Sequence, residues 1–141
     1  MTRFRSAADA ANEADVAGRL AAAWHCDVLA FPPLTPLDFY AARGDAMVAL
    51  LELKCRTHDV ATYGTVWLSV RKWLALTLAE AHMAVPGVFV VRWLDALGWV
   101  HVHDIDARRV TIVRDSRMRN GDATAVEPAV EVPVSAFTML P

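Results

Sequence analysis

Asp38, Glu52 and Lys54 are the residues of this sequence whose types and spacing point to chemistry. Glu52 and Lys54 stand two apart in Leu50-Leu51-Glu52-Leu53-Lys54. In an extended strand both therefore face one way while Leu53 faces the opposite layer. A carboxylate and an ammonium at the end of an otherwise apolar strand need a reason, because desolvating either charge is costly unless it is paired or coordinated. Asp38 precedes Glu52 by 14 residues, a spacing that a hairpin can fold back so that the two carboxylates meet. Like charges that close repel and push one pKa up. A divalent cation removes the conflict, and clustered carboxylates are the hard oxygen ligands that Mg²⁺ prefers. The plainer alternative is a buried ion pair at a strand end, with no chemistry.

These residues need two adjacent strands and a frame to hold them. Ala, Glu, Arg and Leu dominate Ala7 to Trp24, where Val16, Leu20, Ala23 and Trp24 recur at helical spacing. A helix is expected there, capped by Ser6 with Asp9 three residues on. Cys26 to Phe31 reads as a short strand that Pro32-Pro33 must stop. Leu37 to Ala42 reads as a second strand, Arg43-Gly44-Asp45 as its turn, and Ala46 to Arg56 as a third. The third is apolar until Glu52, as a central strand covered on both faces would be. Val66 to Met83 predicts a second helix, apolar almost all round and so buried, and Pro86-Gly87 ends it. Val88 to Leu94 and Trp99 to His103 read as strands around the turn Asp95 to Gly98, followed by a short strand at Val110 to Val113. Asn120 to Thr124 reads as a loop, and Val130 to Met139 as an edge strand that Pro133 bars from a central place. The expected fold is α/β, one mixed sheet with helices packed against it, in a single domain over residues 1 to 141.

Asp on one strand, Glu-x-Lys on the next, and helices before and after resemble the PD-(D/E)xK nuclease superfamily over about residues 7 to 103. The resemblance implies a restriction-endonuclease-like core, a central mixed sheet flanked by helices in αβββαβ order. It also implies Asp38 and Glu52 as ligands of one or two Mg²⁺ ions (Mn²⁺ substituting), with the backbone carbonyl of Leu53 as a further ligand. Glu13 on the first helix would reach the metal directly or through water. Lys54 would orient the attacking water and stabilise developing charge, and Lys72, with Ser69 one turn earlier, would face the site from the second helix. The implied reaction is hydrolysis of phosphodiester bonds, with DNA as the substrate. The set is similar also to small phage nuclease-like proteins and Holliday-junction resolvases. One departure is that Pro36 stands two residues before Asp38 rather than next to it. A protein that keeps this fold without activity, as a nucleic-acid-binding or scaffold component, is the alternative. Individually, Glu13 also suits a solvated position in an early helical turn, and Lys72 a snorkelling surface lysine.

Composition bounds the rest. The 141 residues are 55% hydrophobic and 21% charged with five tryptophans, enough to bury a continuous core. Mean hydropathy is +0.29, yet no apolar run approaches the roughly 18–20 residues that span a bilayer. The basic start Met1-Thr2-Arg3-Phe4-Arg5 is followed by Asp9, Glu13 and Asp15 rather than an apolar signal segment. A cytoplasmic protein of a bacterial or phage-infected cell is expected, with no membrane partner. Two cysteines, Cys26 and Cys55, form no disulfide framework. A net charge of −2 argues against a general nucleic-acid coat, so phosphate contacts must be local. Arg56, Lys72, Arg108 and Arg109 are the candidates, the last two in a basic stretch continued by Arg114, Arg117 and Arg119, which suits a solvated loop equally well. No glycine-rich phosphate loop is present. The apolar content would permit a homodimer.

Overall fold

In the computed structural model, which describes residues 7–114 and 126–141, helix α1 (Ala7–Trp24) precedes strands β1 (Asp27–Ala30), β2 (Phe39–Arg43) and β3 (Ala46–Cys55). Strand β4 (Thr65–Ser69) runs directly into helix α2 (Val70–Met83), and β5 (Gly87–Arg92) and β6 (Leu97–His101) follow. The remaining strands are β7 (Val110–Arg114), β8 (Val126–Pro133) and β9 (Thr138–Met139). The expected Ser6 cap, the Asn120 to Thr124 loop, Arg117 and Arg119 lie outside the described residues.

Six strands form a mixed sheet in the order β1-β2-β3-β5-β6-β9, with β3 and β5 its parallel pair. A parallel pair needs a long crossover, and β4 with α2 provides it. The β2–β3 hairpin turns at Gly44, whose φ of 62° suits a residue without a Cβ. Its register sets Phe39 opposite Leu51 and Ala41 opposite Ala49.

Side-chain alternation along β3 and β5 separates two apolar layers. Leu51, Val88 and Val90 pack against Val16 and Leu20 of α1. Leu50, Phe89 and Val91 face the other way and pack with Leu76 of α2. Arg92 ties α1 to the end of β5, donating to Asn12 Oδ1 at 2.8 Å and pairing with Asp15 at 3.4 Å. No helix among the described residues is long and apolar enough to cross a membrane.

The structure corrects the sequence reading in three places. Val66 to Ser69 is strand rather than helix: Val66 and Leu68 are buried while Trp67 is 43% exposed, a period of two that a continuous apolar run conceals. Helix α2 is not buried all round, since Leu76 is its one buried residue and Leu74 and Leu78 are exposed. Finally, there are two sheets rather than one. β8 is the middle strand of a three-stranded antiparallel sheet, β4-β8-β7, instead of an edge strand. Its prolines are tolerated because each has one neighbour only: Pro133 pairs with Thr65 of β4, and Pro128 with Ile112 of β7.

This packing makes a direct forecast for α2. Leu76→Ala is expected to cost about 3 kcal/mol in denaturant unfolding, and Leu78→Ala less than about 0.5 kcal/mol. Equal losses at the two positions would contradict the orientation of the helix.

Candidate active site

Asp38 lies one residue before β2, and Glu52 lies on β3 in the Leu50 layer, on the α2 side of the sheet. One step back from the Phe39–Leu51 pair brings Asp38 beside Glu52. The carboxylate of Asp38 is anchored there, Oδ2 accepting from the Leu53 amide at 3.1 Å. Glu52 is 7% exposed, the one buried charged residue among those described.

A third group enters from α2. Lys72 Nζ lies 3.5 Å from Glu52 Oε2 and 3.9 Å from Asp38 Oδ1, and donates to the Pro36 carbonyl at 2.9 Å. Ser69 sets this up: as N-cap of α2 its side chain accepts from the Lys72 amide at 3.2 Å, which fixes the first turn against the strand end. Lys54, on the Glu52 face of β3, is held by the Trp67 carbonyl of β4, which accepts from its Nζ at 2.6 Å. Trp67 and Pro36 thus shape the site through their backbone carbonyls. The signal for Trp67 was the alternation of Val66, Trp67 and Leu68; a lone carbonyl such as that of Pro36 has none.

The electrostatics follow from the burial. Removal from water drives the Glu52 carboxyl up, the neighbouring Asp38 charge adds to this, and Lys72 opposes it, leaving the group at about 8 against an ordinary 4.5. Its buried Oε2 makes no hydrogen bond, since Lys72 Nζ at 3.5 Å is an ion-pair contact only. Two close carboxylates, one with an unsatisfied buried oxygen, form a donor set of the kind a hard divalent cation takes, so the residues present fit such an ion. Among the described residues, however, no three His, Cys, Asp or Glu side chains converge.

Other expected site residues are placed elsewhere. Glu13 lines a narrow apolar pocket with Val16, Leu20, Leu51 and Leu53, on the α1 side of the sheet and thus across it from Glu52. Arg56 continues the β3 ladder, its amide donating to the Arg92 carbonyl at 2.7 Å. Arg108 is tied to Asp106 by contacts of 2.9 and 3.2 Å, and Arg109 pairs with Glu131 at 3.9 Å. Both arginines therefore sit with carboxylate partners at the start of β7, where their charge is partly cancelled.

Comparison with known proteins agrees with this fold. A family model described as "Phage putative PDDEXK endonuclease" matches residues 1–140. The solved structure of Hjc from Archaeoglobus fulgidus, a Holliday junction resolvase from an archaeal hyperthermophile, is similar in fold with a TM-score of 0.52. The likeness covers 88% of this chain and 87% of that one at 14% sequence identity. No curated protein sequence matches.

A carboxyl whose folded pKa is raised binds its extra proton in the folded state. The stability this gives is full below about 4.5 and is lost as pH rises through about 8. Without metal, the protein is expected to lose stability on the order of 3 kcal/mol from about pH 5 to about pH 8 through this group. Glu52→Gln removes that part of the slope and is the more stable protein at the alkaline end. Chemical denaturation of both proteins across this range, in chelator, measures it, and parallel profiles would refute the placement of Glu52.

Proposed function

The chain belongs to the phage PDDEXK endonuclease family, and we propose that it is a metal-dependent nuclease hydrolysing DNA phosphodiester bonds, with Asp38 and Glu52 holding Mg²⁺. The observation that carries this reading is the buried Glu52 carboxylate beside Asp38, with an oxygen that no hydrogen bond satisfies. An ionisable group buried at such cost in a structure is a mark of a functional site.

The residues divide the work as follows. Asp38 and Glu52 would supply carboxylate ligands to the ion, and the backbone carbonyl of Leu53, the residue whose amide already orients Asp38, would be a further ligand. Glu13 faces the other layer and contributes through water. When bound, the ion supplies a water of lowered pKa and neutralises charge on the phosphoryl oxygens. Lys54, fixed by the Trp67 carbonyl, orients the attacking water and steadies developing negative charge. Lys72 neutralises the carboxylate pair in the metal-free protein and meets the phosphate once it is released from them. Arg56, Arg108 and Arg109 are the remaining candidates for backbone phosphates. The same reading puts the protein in the cytoplasm of a bacterial or phage-infected cell, and exposed Leu74 and Leu78, four residues apart on α2, support a homodimer.

A second reading has a specific observation in its favour. Lys72 already supplies positive charge between the two carboxylates, which suits a nuclease-fold protein that binds nucleic acid without cutting it.

Metal-dependent stabilisation and cleavage decide between them. Mg²⁺ or Mn²⁺ at about 100 times its Kd is expected to stabilise the protein by about 3 kcal/mol, seen as a higher thermal midpoint, and Asp38→Ala abolishes the rise. Linear, nicked and branched DNA are then assayed for cleavage. Lys54→Ala is expected to retain the metal-induced rise while cutting on the order of 100-fold more slowly. Stabilisation by metal with no cleavage of any of the three DNAs would favour the binding protein.

A further inference from the structure

The loop from Phe31 to Asp38 joins β1 to β2 and is braced throughout. Pro32, Pro33 and Pro36 fix three of its φ angles. The Phe31 amide donates to the Asp38 carbonyl and the Thr35 amide to the Pro32 carbonyl, each at 3.0 Å. The base of the loop is clamped by the Phe31 and Tyr40 rings, 4.9 Å apart, and by buried Leu37. Its far side is pinned to α2 by the bond from Lys72 Nζ to the Pro36 carbonyl. At the tip of this rigid loop Leu34 is 89% exposed, the highest value of any large apolar side chain among the described residues.

An apolar side chain on a stiff support stays in water because the backbone gives it no route inward. Leu34 stands four residues before Asp38, so its Cα lies at most about 14 Å from that residue's. It also stands two residues before the carbonyl that Lys72 binds. Arg71, next to Lys72 in sequence on the first turn of α2, is exposed. Behind this loop Glu52 is 7% exposed while the Asp38 side chain is 28% exposed. A bend in a duplex at the loop would turn a phosphate toward the more deeply buried of the two carboxylates.

We propose that Leu34 is a wedge that inserts between stacked bases of duplex DNA at the mouth of the site and bends the strand toward Asp38 and Glu52. The proposal rests on the nucleic-acid reading above and adds to it a residue that selects substrate by the ease of unstacking. Apolar wedges such as leucine partly unstack a base step and kink the duplex. A pre-stiffened loop loses little conformational freedom on insertion, so more of the contact energy remains for binding. Unstacking costs least where a step is already disrupted, so the net benefit of Leu34 is largest on disrupted duplex.

The test compares binding of wild-type, Leu34→Ser and Leu34→Phe proteins to two fluorescent DNAs in chelator, where no cleavage intervenes and Lys72 neutralises the carboxylates. One DNA is a short continuous duplex; the other carries one unpaired nucleotide at its centre. Leu34→Ser is expected to weaken binding to the disrupted duplex about tenfold and to the continuous one by less than about threefold. Leu34→Phe keeps wild-type binding to both, and all three proteins keep the same thermal midpoint because the side chain is exposed. A fluorescent adenine analogue beside the bound step brightens with wild type and not with Leu34→Ser. Equal weakening on both DNAs, or none on either, overturns the wedge while leaving the nuclease reading standing. Failure of the wild type to bind either DNA overturns the nucleic-acid reading, and the wedge with it.

Discussion

Two carboxylates brought together, one of them out of water, are the constraint on which the rest of this molecule depends. Glu52 ends the apolar run of the central strand and is almost fully enclosed, and Asp38 is fastened beside it by the Leu53 amide. The pair is unstable alone: its repulsion and desolvation together hold Glu52 near 8. Three outcomes relieve it, namely protonation of Glu52, the Lys72 ammonium, or a divalent ion. The geometry holds the first two ready and suits the third. A site that is least stable when empty of positive charge is one that binds cations well, because the folded scaffold has already met the cost of assembling it.

The segment from Thr65 to Lys72 governs which lysine does what. Because β4 passes into α2 without a loop, the Trp67 carbonyl and the Ser69 cap are fixed relative to each other. The carbonyl takes Lys54 and the cap aims Lys72 at the carboxylates. The small β4-β8-β7 sheet therefore does more than cover the core. By pairing Trp67 with Glu131 and Leu68 with Val130 it holds the strand whose end organises the site.

The parts of this arrangement that could be read from sequence are those set by short-range physics. Helix α1 announces itself by the spacing of Val16 and Leu20, and the β2–β3 hairpin by Gly44 between two apolar runs. That hairpin suffices to predict the meeting of Asp38 and Glu52. What could not be read depends on distant pairing. Val66 to Ser69 becomes a strand because β8, far along the chain, lies beside it; alone, its apolar residues merge into the helix that follows. The hold of the Trp67 carbonyl on Lys54 follows from that same strand. Glu13 is a related case: helical spacing gives the face it shares with Val16 and Leu20, and that face packs on the side of the sheet away from Glu52, which leaves it a role through water rather than a direct one.

The central claim is that Glu52 is held protonated beside Asp38 until a cation replaces the need. Carbon-detected NMR of the labelled glutamate carboxyl carbons, followed over pH without and with Mg²⁺, reads this at the residue itself. The account predicts that Glu52 titrates near 8 in the metal-free protein and shifts below the ordinary glutamate range when Mg²⁺ is present, with protons released on binding. An ordinary glutamate titration near 4.5 in both conditions would contradict it.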